Sequence, residues 1–200
     1  MSGFTLWFTG LPCSGKTTIA EIIEKELRNR GLNVESLDGD EVRTHLSKDL
    51  GFSKKDRDTH ISRMGFIAKL LSRNGVAVIA AFVSPYREVR EQIKVGIDNF
   101  IEVFVRCPVE VCIERDVKGM YKKALSGEIK NFTGISDPYE EPENPTIIVD
   151  TDKENVEESA EKIIRYLELA GLIPPASESL AYDSEEEEKI KQRLKSLGYL

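Results

Sequence analysis

Hydrophobic positions along the chain fall into two alternating kinds of run. Short stretches rich in apolar residues at 4–8, 34–37, 76–83, 100–105 and 146–149 predict strands. The longer stretches between them are amphipathic. Residues 19–30 carry Ile19, Ile22, Ile23 and Leu27 at helical spacing and stop at Gly31; Ile61, Met64, Ile67, Ala68 and Leu71 mark a second helix ending near Gly75. A third helix is predicted over 154–170, with Pro174 and Pro175 closing the regular pattern. Five apolar strands separated by helices predict an α/β fold, a three-layer sandwich whose mainly parallel five-stranded sheet is covered on both faces. In such sheets ligands bind beyond the carboxyl ends of the strands.

Residues 115–145 interrupt this rhythm. They are rich in Lys, Gly and Pro, lack an apolar stripe and are too long for an ordinary connection, which predicts a mobile lid. The expected organisation is therefore one domain over 1–173, with the lid at about 115–145, and a tail over 174–200 whose residues 184–200 read as a short acidic-to-basic helix.

Composition narrows the function. A chain of 200 residues can bury roughly 70% of its unfolded surface, enough for one ordinary core. Its 35 acidic against 28 basic residues, a formal charge of -7, argue against a broad nucleic-acid or anionic-membrane binder, so an anionic ligand has to be held locally. Cys13, Cys107 and Cys112 are odd in number and match no zinc spacing, which fits a reducing, cytoplasmic setting. The apolar opening at 1–9 is too short for the core of a signal peptide, and no run of about 18 apolar residues predicts a bilayer span.

The chemistry begins at Gly10-Leu11-Pro12-Cys13-Ser14-Gly15-Lys16-Thr17, followed by Thr18, which fits the phosphate-binding pattern GxxxxGK[ST] between a strand and a helix. Backbone N–H groups and the helix N-terminus converge there on a phosphate chain. Lys16 neutralises the β and γ oxygens of a nucleotide such as ATP, and Thr17 is a candidate Mg²⁺ ligand. This places the fold among the P-loop NTPases. Asp38, at the end of the second strand and expected beside the first, is placed to take a proton from a hydroxyl acceptor or to orient Mg²⁺ through water. Asp40 reads equally as a helix cap or a substrate contact.

These residues, with several further strings, resemble the adenylylsulfate (APS) kinases over most of residues 4–151. The strings are Leu6-Trp-Phe-Thr-Gly-Leu, Asp38-Gly-Asp with Arg43, Phe52-Ser with Asp56-Arg57, Phe82-Val-Ser-Pro-Tyr-Arg87, and Gly127-Glu-Ile-Lys-Asn-Phe-Thr-Gly-Ile135 continuing to Asp137-Pro-Tyr-Glu140. The last string is the most specific, matching the family's substrate-covering lid. The resemblance implies MgATP-dependent phosphorylation of the 3′-hydroxyl of adenosine 5′-phosphosulfate, a homodimer, and an ATP sulfurylase in the same pathway. It implies that Phe52 and Phe132 sandwich the acceptor purine and that Arg43 and Arg57 hold its phosphosulfate. By the same matching, Val83, Ser84, Lys130, Thr133, Gly134 and Ile135 line the acceptor site, and Arg115, Cys107, Pro108 and Thr151 lie near ATP.

Structural alternatives accompany several of these assignments. Phe52 before Ser53 reads also as a hydrophobic staple, Ser53 with Asp56 as a capping box, and Ser84-Pro85 as an N-cap followed by proline at the first helical position. Ser84 matches a proposed phosphoserine position, but no adjacent base is evident, so direct in-line transfer is expected. Lys130 inside the lid string is the leading lid cation. One departure stands out: His60 occupies the place of an acceptor-contacting amide, and reads either as an imidazole titrating near pH 6.5 beside the anion site or as a solvated residue of its helix. Competing functions are a P-loop kinase with another hydroxyl acceptor and a non-catalytic nucleotide-binding module. A GTP switch is disfavoured by the lack of an NKxD string.

Overall fold

The computed structural model describes residues 3–175 together with 192, 195 and 196. Its elements run β1 (Phe4–Thr9), α1 (Lys16–Asn29), β2 (Val34–Asp38), α2 (Gly39–Leu46), α3 (Lys54–Ser72), β3 (Ala77–Ala81), α4 (Arg87–Gly96), β4 (Phe100–Arg106), α5 (Val109–Arg115), α6 (Met120–Leu125), β5 (Ile147–Asp150) and α7 (Val156–Leu169). Each of the five apolar runs is a strand, and every pairing between them is parallel. The tail expected to form a helix over 184–200 lies outside the described residues, apart from 192, 195 and 196, which are helical.

The strand order is β2-β3-β1-β4-β5. This corrects the expectation that the second strand lies beside the first: Asp38 pairs in register with Ala81, and Ala81 with Phe8, so β3 separates Asp38 from β1. Periodicity identifies strands but carries no information on which crossover places them as neighbours.

Strand alternation divides the core. Phe4, Leu6 and Phe8 of β1 turn to one face, where they pack with Ile19, Ile23 and Leu27 of α1 and Ile163 and Leu167 of α7. Trp7 turns to the other, against Val78, Ala80, Phe82 and the α3–α4 residues Ile61, Met64, Val89 and Ile93. Both layers are sealed by helix ends that the sequence specifies. Ser53 caps α3 by accepting from the Asp56 amide, and Asn155 with Glu158 forms a reciprocal capping box on α7.

A third apolar cluster lies under the segment expected to lack one. Cys107, Cys112, Tyr121, Ala124 and Phe132 are buried together, with Leu11 and Cys13 packed against them. Contributions come from short pieces at irregular spacing, which leaves no stripe to read. The segment thus contains α6 and shares a small core with α5 and the loop after β1.

Candidate functional site

The loop joining β1 to α1 is shaped by backbone sterics. At Gly10 (φ 154°) an added Cβ would lie 2.5 Å from the Val105 carbonyl oxygen, so a side chain there would push β4 away. Cys13 takes a left-handed conformation, and Gly15, also left-handed, precedes the first residue of α1. Lys16 folds back over the loop. Its ammonium donates to the carbonyls of Gly10 (3.0 Å) and Leu11 (2.7 Å), and burial pulls its pKa down to about 8. Thr17 and Thr18 are exposed on the first turn of the helix.

Neighbouring segments brace this loop from outside. Thr151 donates to the Ser14 carbonyl (2.8 Å), Arg115 donates to the Thr151 carbonyl (2.5 Å), and the Tyr121 hydroxyl donates to the Pro12 carbonyl (3.0 Å). Burial pushes the Tyr121 hydroxyl up from the ordinary tyrosine range, which keeps it a donor. A cleft of about 550 Å³ opens where Leu11, Cys107 and Pro108 face Ile135, Asp137 and Tyr139. Residues matched to ATP and residues matched to the acceptor therefore line one cavity. At Gly134 (φ 89°) a Cβ would meet Leu11 at 2.8 Å, so the glycine lets the two walls approach.

Across the sheet edge, Asp38 ends β2 and α2 starts at the next residue. Its carboxylate accepts weakly from the Glu41 amide (3.4 Å), so the cap position belongs to Asp38, while Asp40 falls within the helix. Phe52 is 57% exposed, which removes the staple alternative. The guanidinium groups of Arg43 and Arg57 sit 4.5 and 5.6 Å from its ring centroid. Arg57 also donates to the carbonyls of Phe52 (3.1 Å) and Asn131 (2.6 Å), tying the start of α3 to the lid string.

Phe132 is buried rather than displayed. It packs edge-on against Tyr121 with centroids 5.0 Å apart, which gives it the core role that its polar neighbours Asn131 and Thr133 argue against. Thr133 beside it is also buried, whereas Lys130 is exposed.

His60 departs most from expectation. Its ring is buried, its Nδ1 is 2.9 Å from the Ser47 hydroxyl, and it meets Phe82 edge-on at 5.6 Å. Burial, reinforced by the positive charges of Arg43 and Arg63, holds its pKa down to about 4. This corrects the reading of an imidazole titrating near pH 6.5 against an anion. Spacing alone does not separate a buried polar residue from a surface one on the same helix, because the partner that satisfies it, Ser47, lies outside that helix.

Ser84 is likewise not a helix cap. Its backbone is left-handed (φ 38°), α4 begins three residues later with Tyr86 at the cap position, and its buried hydroxyl accepts from Trp7 Nε1 (3.2 Å). The Val83 carbonyl accepts from the Thr9 hydroxyl (2.9 Å). Tyr86 donates to Asp137 (2.7 Å), and burial together with that carboxylate pushes its pKa up to about 12.

Two charged residues escaped the sequence reading. Arg90 and Glu102 form a fully buried ion pair at 3.0 Å behind the Ser84 turn. A signal was present, since Glu102 interrupts the otherwise apolar run of β4 and a buried carboxylate demands a partner.

Comparison with known proteins agrees with this geometry. A family model described as adenylylsulphate kinase matches residues 2–150. A probable adenylyl-sulfate kinase of Pseudomonas aeruginosa is 63% identical over 82% of this chain and 76% of its own length. A probable bifunctional SAT/APS kinase of Sorangium cellulosum is 55% identical over 90% of this chain, which spans only 31% of that longer protein. Among solved structures, a Mycobacterium tuberculosis APS kinase in complex with AMPPNP and APS is 41% identical, with a TM-score of 0.79 over 84% of this chain and 98% of that one. With the phosphate loop, the lid string and the cleft between them in place, the chain belongs to the adenylylsulphate kinase family.

Proposed function

We propose that this protein transfers the γ-phosphoryl group of ATP to the 3′-hydroxyl of adenosine 5′-phosphosulfate, giving 3′-phosphoadenosine 5′-phosphosulfate and ADP. The observation that carries the reading is the cleft in which phosphate-loop residue Leu11 and Cys107-Pro108 face Ile135, Asp137 and Tyr139. A donor and an acceptor held in one cavity meet the first requirement of in-line transfer, which is proximity.

The phosphate loop supplies the donor half. Its N–H groups and the α1 N-terminus bind the triphosphate, and Lys16 moves from its carbonyl partners to the β and γ oxygens. Arg115, Cys107, Pro108 and Thr151 hold the nucleoside end. The acceptor half is drawn from Phe52, Arg43, Arg57, Val83, Ser84 and the string through Lys130, Phe132 and Ile135. The 3′-oxygen forms its bond to the γ-phosphorus as the bridging β–γ oxygen leaves with ADP, and Asp38 accepts the hydroxyl proton. Ser84, whose oxygen accepts from Trp7, orients rather than attacks.

The hard oxygen donors present suit Mg²⁺: Thr17 presents an exposed hydroxyl at the loop exit, and Asp38 a carboxylate able to act through water. When bound, the ion would neutralise charge on the β and γ oxygens. The bifunctional SAT/APS kinase relative supports a functional link to an ATP sulfurylase. A domain over 1–173 is supported by Leu172 and Ile173, which join the main core, and a moving segment at 115–145 by its packing on a small cluster apart from the two main ones.

The deciding experiment is product identification after incubation with MgATP and adenylylsulfate, against a panel of other hydroxyl acceptors. Formation of 3′-phosphoadenosine 5′-phosphosulfate with one ADP per product is expected. Preferential turnover of another acceptor, or none at all, would overturn the reading.

A further inference from the structure

Arg90 and Glu102 are each only 1% exposed, and the pair lies behind the acceptor wall rather than in it. A buried ion pair is a poor stabilising device, because desolvating two charges offsets most of their attraction. This one is incomplete as well: Glu102 Oε2 is buried with no hydrogen-bond partner among the described residues. The guanidinium, in contrast, spends its donors in three directions. Nε reaches Glu102 on β4 at 3.0 Å, Nη1 the Ser84 carbonyl at 2.5 Å, and Nη2 the Glu140 carbonyl at 2.6 Å.

Those carbonyls belong to two segments far apart in sequence. Ser84 sits in a left-handed backbone conformation that a non-glycine residue adopts only under constraint. Glu140 ends the string that starts at the lid, and its amide donates to the Pro85 carbonyl at 2.8 Å. Tyr139, between the cleft and the Arg90 guanidinium, places its hydroxyl 2.9 Å from that of Thr9. The guanidinium reaches these acceptors from three separate nitrogens in a rigid plane, a spread that the single nitrogen of an ammonium lacks.

We propose that Arg90 is a positioning residue for the reaction, clamping the Ser84 turn and the Tyr139-Glu140 root of the lid to β4 so that the acceptor wall is preformed while the rest of the lid closes over it. This rests on the acceptor assignment above. It separates the lid into a fixed root and a part free to move, with Glu102 fixing the fork's orientation.

Two variants test it. Arg90→Lys keeps the charge opposite Glu102 but loses the fork; Arg90→Met with Glu102→Leu replaces the pair by apolar volume, which buried ion pairs commonly tolerate. Both are expected to raise KM for adenylylsulfate by about tenfold or more while leaving the Kd of ATP within about twofold, as misplacement of one reactant alone would. ADP should then form in excess over phosphorylated product, because a loose root admits water to the donor. A folded double variant with unchanged acceptor KM and one-to-one stoichiometry would overturn the clamp, as would equal losses for both ligands. A double variant that cannot fold would make the pair architectural and overturn it too. Wild-type protein run in parallel keeps the questions apart: no turnover of adenylylsulfate by wild type is a failure of the acceptor assignment, whereas normal wild-type turnover with unaltered variants is a failure of the clamp alone.

Discussion

The phosphate loop and the wall that faces it are built in opposite ways. Residues 10–17 form a contiguous loop whose binding groups are mainly backbone amides, aimed by glycine torsions and by the start of α1. The facing residues 134–139 are held by side chains brought from separate places: Arg57 at the start of α3 donates to the Asn131 carbonyl, Tyr86 donates to Asp137, and Arg90 of α4, behind the wall, donates to the Glu140 carbonyl. The shape of the wall depends on long-range hydrogen bonds, each of which a single substitution can remove. The donor site should therefore fail by loss of one charge, and the acceptor site by loss of geometry.

The largest effect is expected at Lys16. Lys16→Ala removes the one cation of residues 10–17 and should lower kcat/KM by about 10²–10³-fold through lost electrostatic stabilisation. The fold should survive, because the carbonyls it leaves can be solvated at the mouth of the loop. Steady-state kinetics with circular dichroism checks this, and near-normal turnover would erase the distinction between the two halves.

Phe132→Ala tests whether the facing wall owns a core. With its ring buried edge-on against Tyr121, truncation should destabilise the cluster by about 3–5 kcal/mol, in the range for a buried aromatic. Hydrogen exchange over residues 107–137 should accelerate while exchange in β1 and α1 stays slow. Phe52→Ala makes the opposite prediction. Because the ring is 57% exposed, melting temperature should scarcely move, while acceptor affinity should fall by about 1–3 kcal/mol and ATP affinity stay constant. Calorimetric titration with each ligand separates these outcomes.

The same contrast explains what could be read in the sequence. All five strands and the chief helices were legible because burial on a sheet face or a helix stripe leaves a local period, and the loop at 10–17 because its function is contiguous. Strand order was not, since β3 enters between β2 and β1 by a crossover that hydrophobicity does not encode. The cluster of Cys107, Cys112, Tyr121, Ala124 and Phe132 was missed because its members share no period. Arg90 was missed because its three acceptors lie 6, 12 and 50 residues away. Only Glu102, a charge inside an apolar run, announced that a partner had to exist.

His60 gives the smallest and most discriminating effect, because its ring is buried against Ser47 and Phe82. Its folded pKa of about 4 is below the ordinary histidine value, so as pH falls the unfolded chain takes up the proton first. The stabilisation it lends is full above about pH 6.5 and is lost as pH falls towards 4, with a slope of at most about 1.4 kcal/mol per unit. His60→Asn should remove that slope, which urea midpoints at about pH 7.5 and about pH 5 would reveal. Acceptor affinity between about pH 6 and pH 8 should follow the same shape in both proteins, since the wild-type imidazole is already largely neutral there. An acceptor affinity that strengthens below about pH 7 in wild type alone would return His60 to the anion site, and with it the view that this departure tunes the acceptor rather than the core behind it.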